Sequence, residues 1–167
     1  MHWSMAEGTP LGTLWVVASA RGVRRVIFGE NGEAEWARVR ALDPEMERRE
    51  EGLAAQAVAQ ILEYLQGKRR AFTVPLDPEG TPFQRKVWME TARIPYGQTL
   101  TYRELARRIG QPGAARAVGQ ALGANPLPIL IPCHRVVAAD GRLGGYTGGR
   151  HLKRWLLHLE GAPLVAE

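Results

Sequence analysis

The chain is divided near its middle by the sequence DPEGTPFQ, residues 77–84, which is rich in Pro and Gly. Residues of these types end helices and strands and are typical of the connection between two domains. The charge balance changes sign at the same place: residues 1–80 contain 10 Lys and Arg against 12 Asp and Glu, whereas residues 81–167 contain 12 against five. We therefore expect two domains, residues 1–78 and residues 79–167, each with a small core of its own.

The first half of the chain predicts an α/β domain with a small antiparallel sheet. Residues 11–30, LGTLWVVASARGVRRVIFGE, are rich in Val, Ile and Trp and predict two strands around a turn at residues 19–22. A polar helix should follow and end before Pro44, and apolar residues at helical spacing predict a second helix that Gly67 ends. The segment AFTVPLD, residues 71–77, predicts a short strand at the sheet edge, because its proline cannot donate a ladder hydrogen bond.

The second half predicts a mostly α-helical domain. Thr81 can cap a helix that begins at Pro82 and runs to about Arg93, and Thr101 can cap a short helix with Glu104 at the capping-box position. A third helix, AARAVGQALGAN, and a final helix, RHLKRWLLHLEG, complete this domain. The second and third helices are joined by IGQPGA and resemble a helix-turn-helix, as in winged-helix-like domains.

The third helix carries almost no large side chains. A helix that reads bases in the major groove needs several long polar side chains, whereas this helix offers mainly Ala and Gly, including Ala115 and Ala117, with Arg116 as its long cationic side chain. If the helix meets DNA, we expect close contact with the backbone and the shallow groove, with Arg116 reaching in. The alternative is a helix packed tightly in a core, with Arg116 at its edge.

The position of the basic residues suggests a partner. The positive excess lies in residues 81–167, and a polyanion, most commonly nucleic acid, is the partner that such an excess favours. The alternative is a protein that is simply basic throughout, with a sequence pI of about 9.9. No apolar run approaches the roughly 18 residues of a membrane span, and the first residues do not resemble a signal peptide. A lone thiol suits a reducing compartment, so we predict a cytoplasmic protein without a membrane partner.

The only cysteine lies in the segment IPCHRVV, residues 131–137. A free thiol ionises near pH 8.5, so a reactive cysteine needs a base or a positive charge nearby. His134 is adjacent, but neighbours on an extended segment point to opposite sides, so contact with Cys133 requires a bend or a bridging water. The final helix offers Glu160, which can orient a histidine. The alternatives are a buried structural thiol and a core histidine, and the other histidines that can approach are His151 and His158.

Several other chemistries are not supported by the sequence. One cysteine and four histidines give neither a CxxC nor an HxxxH arrangement, so we predict no metal site. No phosphate-binding loop of the Walker or dinucleotide type is present. The sequence GGYTGG, residues 144–149, predicts a flexible wall that lets a planar ligand approach the backbone.

The second half as a whole resembles a known family. GTPFQRKVW, IPYGQTLTYRELA, AARAVGQALGANPLPILIPCHRVV, GGYTGG and WLLHLEG occur in the order and spacing of the O6-alkylguanine-DNA alkyltransferases. The resemblance runs from about Gly80 to Gly161, half of the chain, and the first half agrees only loosely as strands and a helix.

The resemblance implies a role for individual residues. Cys133 would be the nucleophile that accepts the alkyl group, His134 would act as its base through a water, and Glu160 would orient His134. Tyr102 would donate a proton to the purine, and Asn125 would tie the helix-turn-helix to the cysteine segment. The substrate would be bound by Tyr146, Thr147, Pro128, Val136 and Gly144. The DNA would be bound by Arg116, Ala115, Ala117, Tyr102, Thr101 and Arg135.

The activity implied is DNA repair in a single turnover. An alkyl group on O6 of guanine, and also on O4 of thymine, would move irreversibly to Cys133 without a cofactor. The protein would act as a monomer on the minor groove of double-stranded DNA and flip out the damaged base, with Arg116 filling its place. Three alternatives remain: a lesion sensor without catalysis, which the cysteine disfavours; a sequence-specific regulator, which the bare helix disfavours; and a thiol hydrolase, for which no oxyanion-hole motif is evident.

Overall fold

The computed structural model describes residues 1–163. Contacts group the chain into two compact units, Met1–Glu79 and the described part of Gly80–Glu167. The first unit contains β1 (His2–Thr9), β2 (Gly12–Ala18), β3 (Val23–Ile27), α1 (Gly32–Leu42), β4 (Glu47–Arg48) and α2 (Leu53–Leu65).

The first unit is built on a four-stranded sheet of order β3-β2-β1-β4. The first three strands are antiparallel to their neighbours, whereas β4 pairs with β1 in parallel, because the chain returns through α1 before it forms β4. The α/β prediction is confirmed, with a mixed sheet rather than a purely antiparallel one. The predicted edge strand at residues 71–77 reduces to one bridge between Leu76 and Val23.

Strand β1 was not predicted, because polar residues interrupt its apolar pattern. His2 and Ser4 are nevertheless both 6% exposed. The imidazole of His2 is satisfied within the fold, since its Nε2 accepts a hydrogen bond of 3.2 Å from the backbone N–H of Ala54, in the first turn of α2. A helix begins with backbone N–H groups that lack partners inside the helix, and His2 supplies one of the missing acceptors.

Two cores flank the sheet of the first unit. Trp15 and Val17 belong to a cluster with Trp3, against which Trp36 of α1 packs. The intervening residues of β2 point to the opposite face, and α2 packs on the sheet through the buried face that includes Ile61.

The second unit is mostly helical, as predicted. It contains α3 (Pro82–Thr91), β5 (Leu100–Thr101), α4 (Tyr102–Arg108), α5 (Ala115–Gly123), a 3-10 turn (Cys133–Arg135), β6 (Val136–Val137) and α6 (Arg150–Leu159). The predicted capping box of Thr101 with Glu104 is present, and the predicted cap Thr81 also forms a capping box, with Gln84. Within residues 1–163, no helix has the length and apolar character needed to cross a membrane.

The helix-turn-helix and the cysteine segment are joined by a short parallel ladder. Helices α4 and α5 pack against each other, and Leu100 and Thr101, just before α4, pair with Val136 and Val137. The ladder fixes the residues after Cys133 beside the start of α4. The cysteine segment is not extended throughout, because Cys133–Arg135 forms a 3-10 turn.

The His2 contact predicts a pH-dependent stability of the first unit. Burial lowers the pKa of His2, and the charges of Arg49 and the N-terminus act in the same direction. A protonated imidazole can no longer accept the Ala54 hydrogen bond. The stabilisation is therefore complete above the unfolded pKa of about 6.5 and is lost as the pH falls through the lower folded pKa.

Urea unfolding at pH 7.5 and pH 5 checks this prediction. His2→Gln should reduce the loss of stability on acidification, because a glutamine carbonyl accepts a hydrogen bond without titrating. His158→Gln, at an exposed position on α6, is the control. An unchanged pH dependence in His2→Gln would contradict the prediction.

Candidate active site

The segment before Cys133 is held by Asn125, which follows α5. The Asn125 side chain donates to the carbonyl of Ile131 at 3.0 Å and accepts from the backbone N–H of Leu127 at 2.9 Å. Between them, Ile129 adopts a φ of 74°, a conformation that is costly for a β-branched residue. Asn125 thus stabilises a bend that the backbone alone does not favour.

Cys133 begins the 3-10 turn and is 9% exposed. Burial raises the pKa of its thiol, while a hydrogen bond with the Asn125 side chain and the charge of Lys153 act in the opposite direction. The thiol is therefore protonated at rest, with groups beside it that favour the thiolate.

Glu160, directly after α6, lies at the centre of a buried polar cluster. Its carboxylate accepts at least four hydrogen bonds: one from the backbone N–H of Gly97 at 3.0 Å, one from His134 Nε2 at 2.7 Å, and two from Arg135, from Nε at 2.9 Å and from Nη2 at 3.0 Å. The side chains of His134 and Glu160 are both fully buried. A carboxylate satisfied in this way is stable as the anion.

The carboxylate fixes the tautomer of His134. An ionised carboxylate can only accept hydrogen bonds, so Nε2 carries the proton and Nδ1 is the basic nitrogen of the ring. Burial lowers the pKa of His134, the charges of Arg135 and Lys153 act in the same direction, and together they outweigh the opposing effect of Glu160. His134 is therefore a neutral base at physiological pH. His151 and His158 are exposed on α6.

A cavity of about 350 Å³ has Cys133 in its wall, a size within the usual range of small-molecule sites. Its other lining residues are Tyr102, Gly119, Leu122, Gly123, Gly145, Tyr146 and Thr147. Gly144 lies behind this wall with a φ of 72°, and a Cβ there would lie 2.6 Å from the Tyr102 hydroxyl. Glycine is therefore required for the phenol to stand where it does.

The wall of the cavity contains the Tyr102 phenol and a hydrogen bond that connects Thr147 to the end of α5. Burial raises the pKa of Tyr102, as does the nearby Cys133, so the phenol keeps its proton. The Thr147 hydroxyl donates to the carbonyl of Gly123, at the end of α5, at 3.2 Å. Among residues 1–163, no group of three or more His, Cys, Asp or Glu is placed to hold a metal ion.

The outer face of α5 carries mainly small side chains, as its sequence predicts. Arg116 and Ala117 are exposed, and Ala115 is half-buried. The Thr101 hydroxyl accepts from the Glu104 backbone N–H at 3.0 Å and so caps α4. The face therefore combines a closely approachable backbone with one long cationic side chain.

Family models match nearly the whole sequence. Residues 1–78 match the ribonuclease-like domain of 6-O-methylguanine DNA methyltransferase, and residues 82–162 match its DNA-binding domain. The chain belongs to the 6-O-methylguanine DNA methyltransferase family.

Individual members of this family align over most of the chain. The constitutive methylated-DNA–protein-cysteine methyltransferase of Bacillus subtilis is 38% identical over 161 residues, 96% of each chain. The corresponding protein of Mycobacterium tuberculosis is 51% identical over 116 residues, 70% of each chain. A crystal structure of O6-methylguanine methyltransferase from M. tuberculosis superposes with a TM-score of 0.82 at 40% identity, covering 97% of this chain and 94% of that one. The M. tuberculosis protein OGT in complex with DNA gives a TM-score of 0.81 at 38% identity, covering 98% and 96%.

The structure brings together most of the residues that the family resemblance singled out. Cys133, Tyr102, Tyr146 and Thr147 line one cavity. Three residues that the resemblance assigns to substrate binding, Val136, Pro128 and Gly144, are not among those that line the cavity. Val136 is fully buried, whereas Pro128 and Gly144 are half-buried. Their roles in substrate binding remain predictions.

Arg135, which the resemblance assigns to DNA binding, does not present its side chain to solvent in this structure. The residue is 6% exposed, and its guanidinium is bonded to Glu160 and to the carbonyl of Ile94. The sequence could not distinguish this arginine from those on the surface, because the last residue of IPCHR has no periodic pattern around it.

Lys153 is a site residue that the sequence analysis missed. It is fully buried, and its ammonium donates to the carbonyls of Val136 at 2.7 Å and Gly145 at 3.1 Å. The ammonium lies 5.9 Å from the centre of the Tyr102 ring. A signal was present, since Lys153 lies one turn before Leu156 and Leu157 on the apolar face of the final helix.

The charge of Lys153 predicts the reactivity of the thiol. Lys153→Met should raise the pKa of Cys133 further, because the nearby positive charge that favours the thiolate is removed. We expect alkylation of Cys133 by iodoacetamide to slow about tenfold at pH 7 and its pH midpoint to move upward. Lys86→Met, at an exposed position on α3, is the control. Equal midpoints in the two variants would exclude this role.

Proposed function

We propose that this chain repairs DNA by transferring the alkyl group of O6-alkylguanine, and also of O4-alkylthymine, to the Sγ of its own Cys133. The observation that carries the proposal is a thiol in a cavity wall that is followed directly in the chain by a buried histidine, whose ring is held by a buried carboxylate. Family membership supplies the reaction class.

The groups around the cavity suit displacement at a saturated carbon. His134 takes the thiol proton, through a water, and the thiolate, a strong and soft nucleophile, forms the new C–S bond as the C–O bond to guanine breaks. The leaving purine gains negative charge, and the Tyr102 phenol, which holds its proton in this site, supplies a proton to it. The products are guanine and a thioether. Because a thioether resists hydrolysis, each molecule reacts once.

The bare face of α5 suits a protein that reaches a base without reading sequence. Small residues allow the helix to lie close to the DNA backbone in the minor groove, and Arg116 fills the stack that the flipped base leaves. Flipping costs a few kcal/mol, least for a damaged and poorly paired base, and an inserted side chain offsets that cost. The chain would act as a monomer in the cytoplasm, where its lone thiol stays reduced.

Removing the thiol should separate binding from transfer. Cys133→Ala should bind a duplex containing O6-methylguanine with affinity similar to the original protein, because the DNA-facing helix is unchanged, and should leave the methyl group on the base. Band-shift titration and mass analysis of the recovered oligonucleotide check both outcomes. Methyl loss from the oligonucleotide in the presence of Cys133→Ala would refute the assigned nucleophile.

Removing the intercalating side chain should slow only the reaction that needs base flipping. Arg116→Ala should slow methyl transfer from duplex DNA more than about tenfold and reaction with free O6-benzylguanine less than about twofold. Single-turnover rates check this, with Arg93→Ala, an exposed arginine just after α3, as the control. Equal slowing on both substrates would remove the flipping role.

A further inference from the structure

Arg135, the arginine of the active-site segment, is buried, with 6% of its surface exposed. Its Nε donates a hydrogen bond to Glu160 Oε1 at 2.9 Å, and its Nη2 donates one to Glu160 Oε2 at 3.0 Å. Its remaining terminal nitrogen, Nη1, donates to the carbonyl of Ile94 at 2.6 Å, and its guanidinium lies 5.8 Å from the centre of the Tyr96 ring. A side chain with its donors engaged in this way is not available to a phosphate.

The Glu160 carboxylate is thus hydrogen-bonded to a neutral imidazole, His134, and to a cationic guanidinium, Arg135. One carboxylate oxygen, Oε2, is shared by His134 Nε2 and Arg135 Nη2. The permanent charge of the guanidinium neutralises the carboxylate without a proton from the histidine. Without Arg135, the buried anion would be uncompensated, and the pair of His134 and Glu160 would bind an additional proton at higher pH.

The charged groups that face His134 come from two elements, and their sum also favours the neutral imidazole. The 3-10 turn contributes Cys133 and Arg135, and α6 with the residue after it contributes Lys153 and Glu160. With the thiol protonated and His134 neutral, two cations face one anion. The site therefore has one unit of positive charge in excess before the reaction. Transfer of the thiol proton to His134 leaves that total unchanged and forms the thiolate close to these cations.

We infer that Arg135 is a positioning residue of the alkyl transfer: it clamps Glu160, and its charge acts together with burial to keep His134 neutral and able to accept the thiol proton. The residues around it support the clamp. The segment that contains Ile94 and Tyr96 also places the Gly97 N–H against Glu160 Oε1 at 3.0 Å, so the carboxylate is fixed from three parts of the chain.

The test rests on the proposed function and compares Arg135→Met with Arg135→Lys. Single-turnover methyl transfer is measured from pH 5 to pH 9 with a saturating O6-methylguanine duplex, and duplex affinity is measured at several salt concentrations. In Arg135→Met, the midpoint of the acid limb should move upward by about one pH unit or more, with affinity and salt dependence unchanged. Arg135→Lys retains the charge and should keep the midpoint near that of the original protein, at a lower plateau rate.

The possible outcomes separate the alternatives. A lower rate with an unchanged midpoint in Arg135→Met would show that Arg135 has only a structural role. A weaker salt dependence of DNA binding in this variant would show instead that Arg135 contacts a DNA phosphate. If the original protein transfers no methyl group, the proposed function itself fails.

A measurement on the original protein remains decisive if Arg135→Met does not fold. The ¹⁵N chemical shifts of the His134 ring at pH 7 should show the neutral tautomer with the proton on Nε2. An imidazolium at that pH would overturn the inference.

Discussion

The buried carboxylate of Glu160 is the interaction on which the active site depends. It joins the backbone of Gly97, the 3-10 turn at Cys133–Arg135 and the end of α6 through hydrogen bonds of 2.7–3.0 Å. Burial of a charge is costly unless the charge is paired and fully hydrogen-bonded. These contacts meet that requirement, and meeting it forces three distant parts of the sequence into one arrangement beside the thiol.

The surroundings of Cys133 reconcile an inert resting thiol with a strong nucleophile. Burial keeps the thiol protonated, which protects it from oxidation, since the thiolate is the reactive form. Asn125, Lys153 and the neutral His134 supply the hydrogen bond, the charge and the base that ionisation requires. The cavity wall beside them includes three glycines, Gly119, Gly123 and Gly145, at which the backbone can approach a planar base closely.

The sequence predicted the features that depend on local chemistry. The helix caps at Thr81 and Thr101, the helix ending near Gly67 and the helix-turn-helix are all confirmed, because caps and apolar periodicity act over a few residues. Strand β1 was not predicted, because the buried imidazole of His2 finds its hydrogen-bond partner only at the start of α2, far away in the sequence. The burial of Arg135 and Lys153 was not predicted for the same reason. Their partners, Glu160 and the carbonyl of Val136, are 25 and 17 residues away in the sequence.

The central claim is that Cys133 is the acceptor of a single alkyl group, and the mass of the intact protein tests it most directly. The protein is mixed with excess duplex DNA that carries one O6-methylguanine, and the modified peptide is then mapped. The account predicts a gain of one methylene per protein, located on Cys133, that does not increase with time or with more DNA. An unchanged mass with tight, lesion-selective binding would contradict it and would identify a lesion sensor instead.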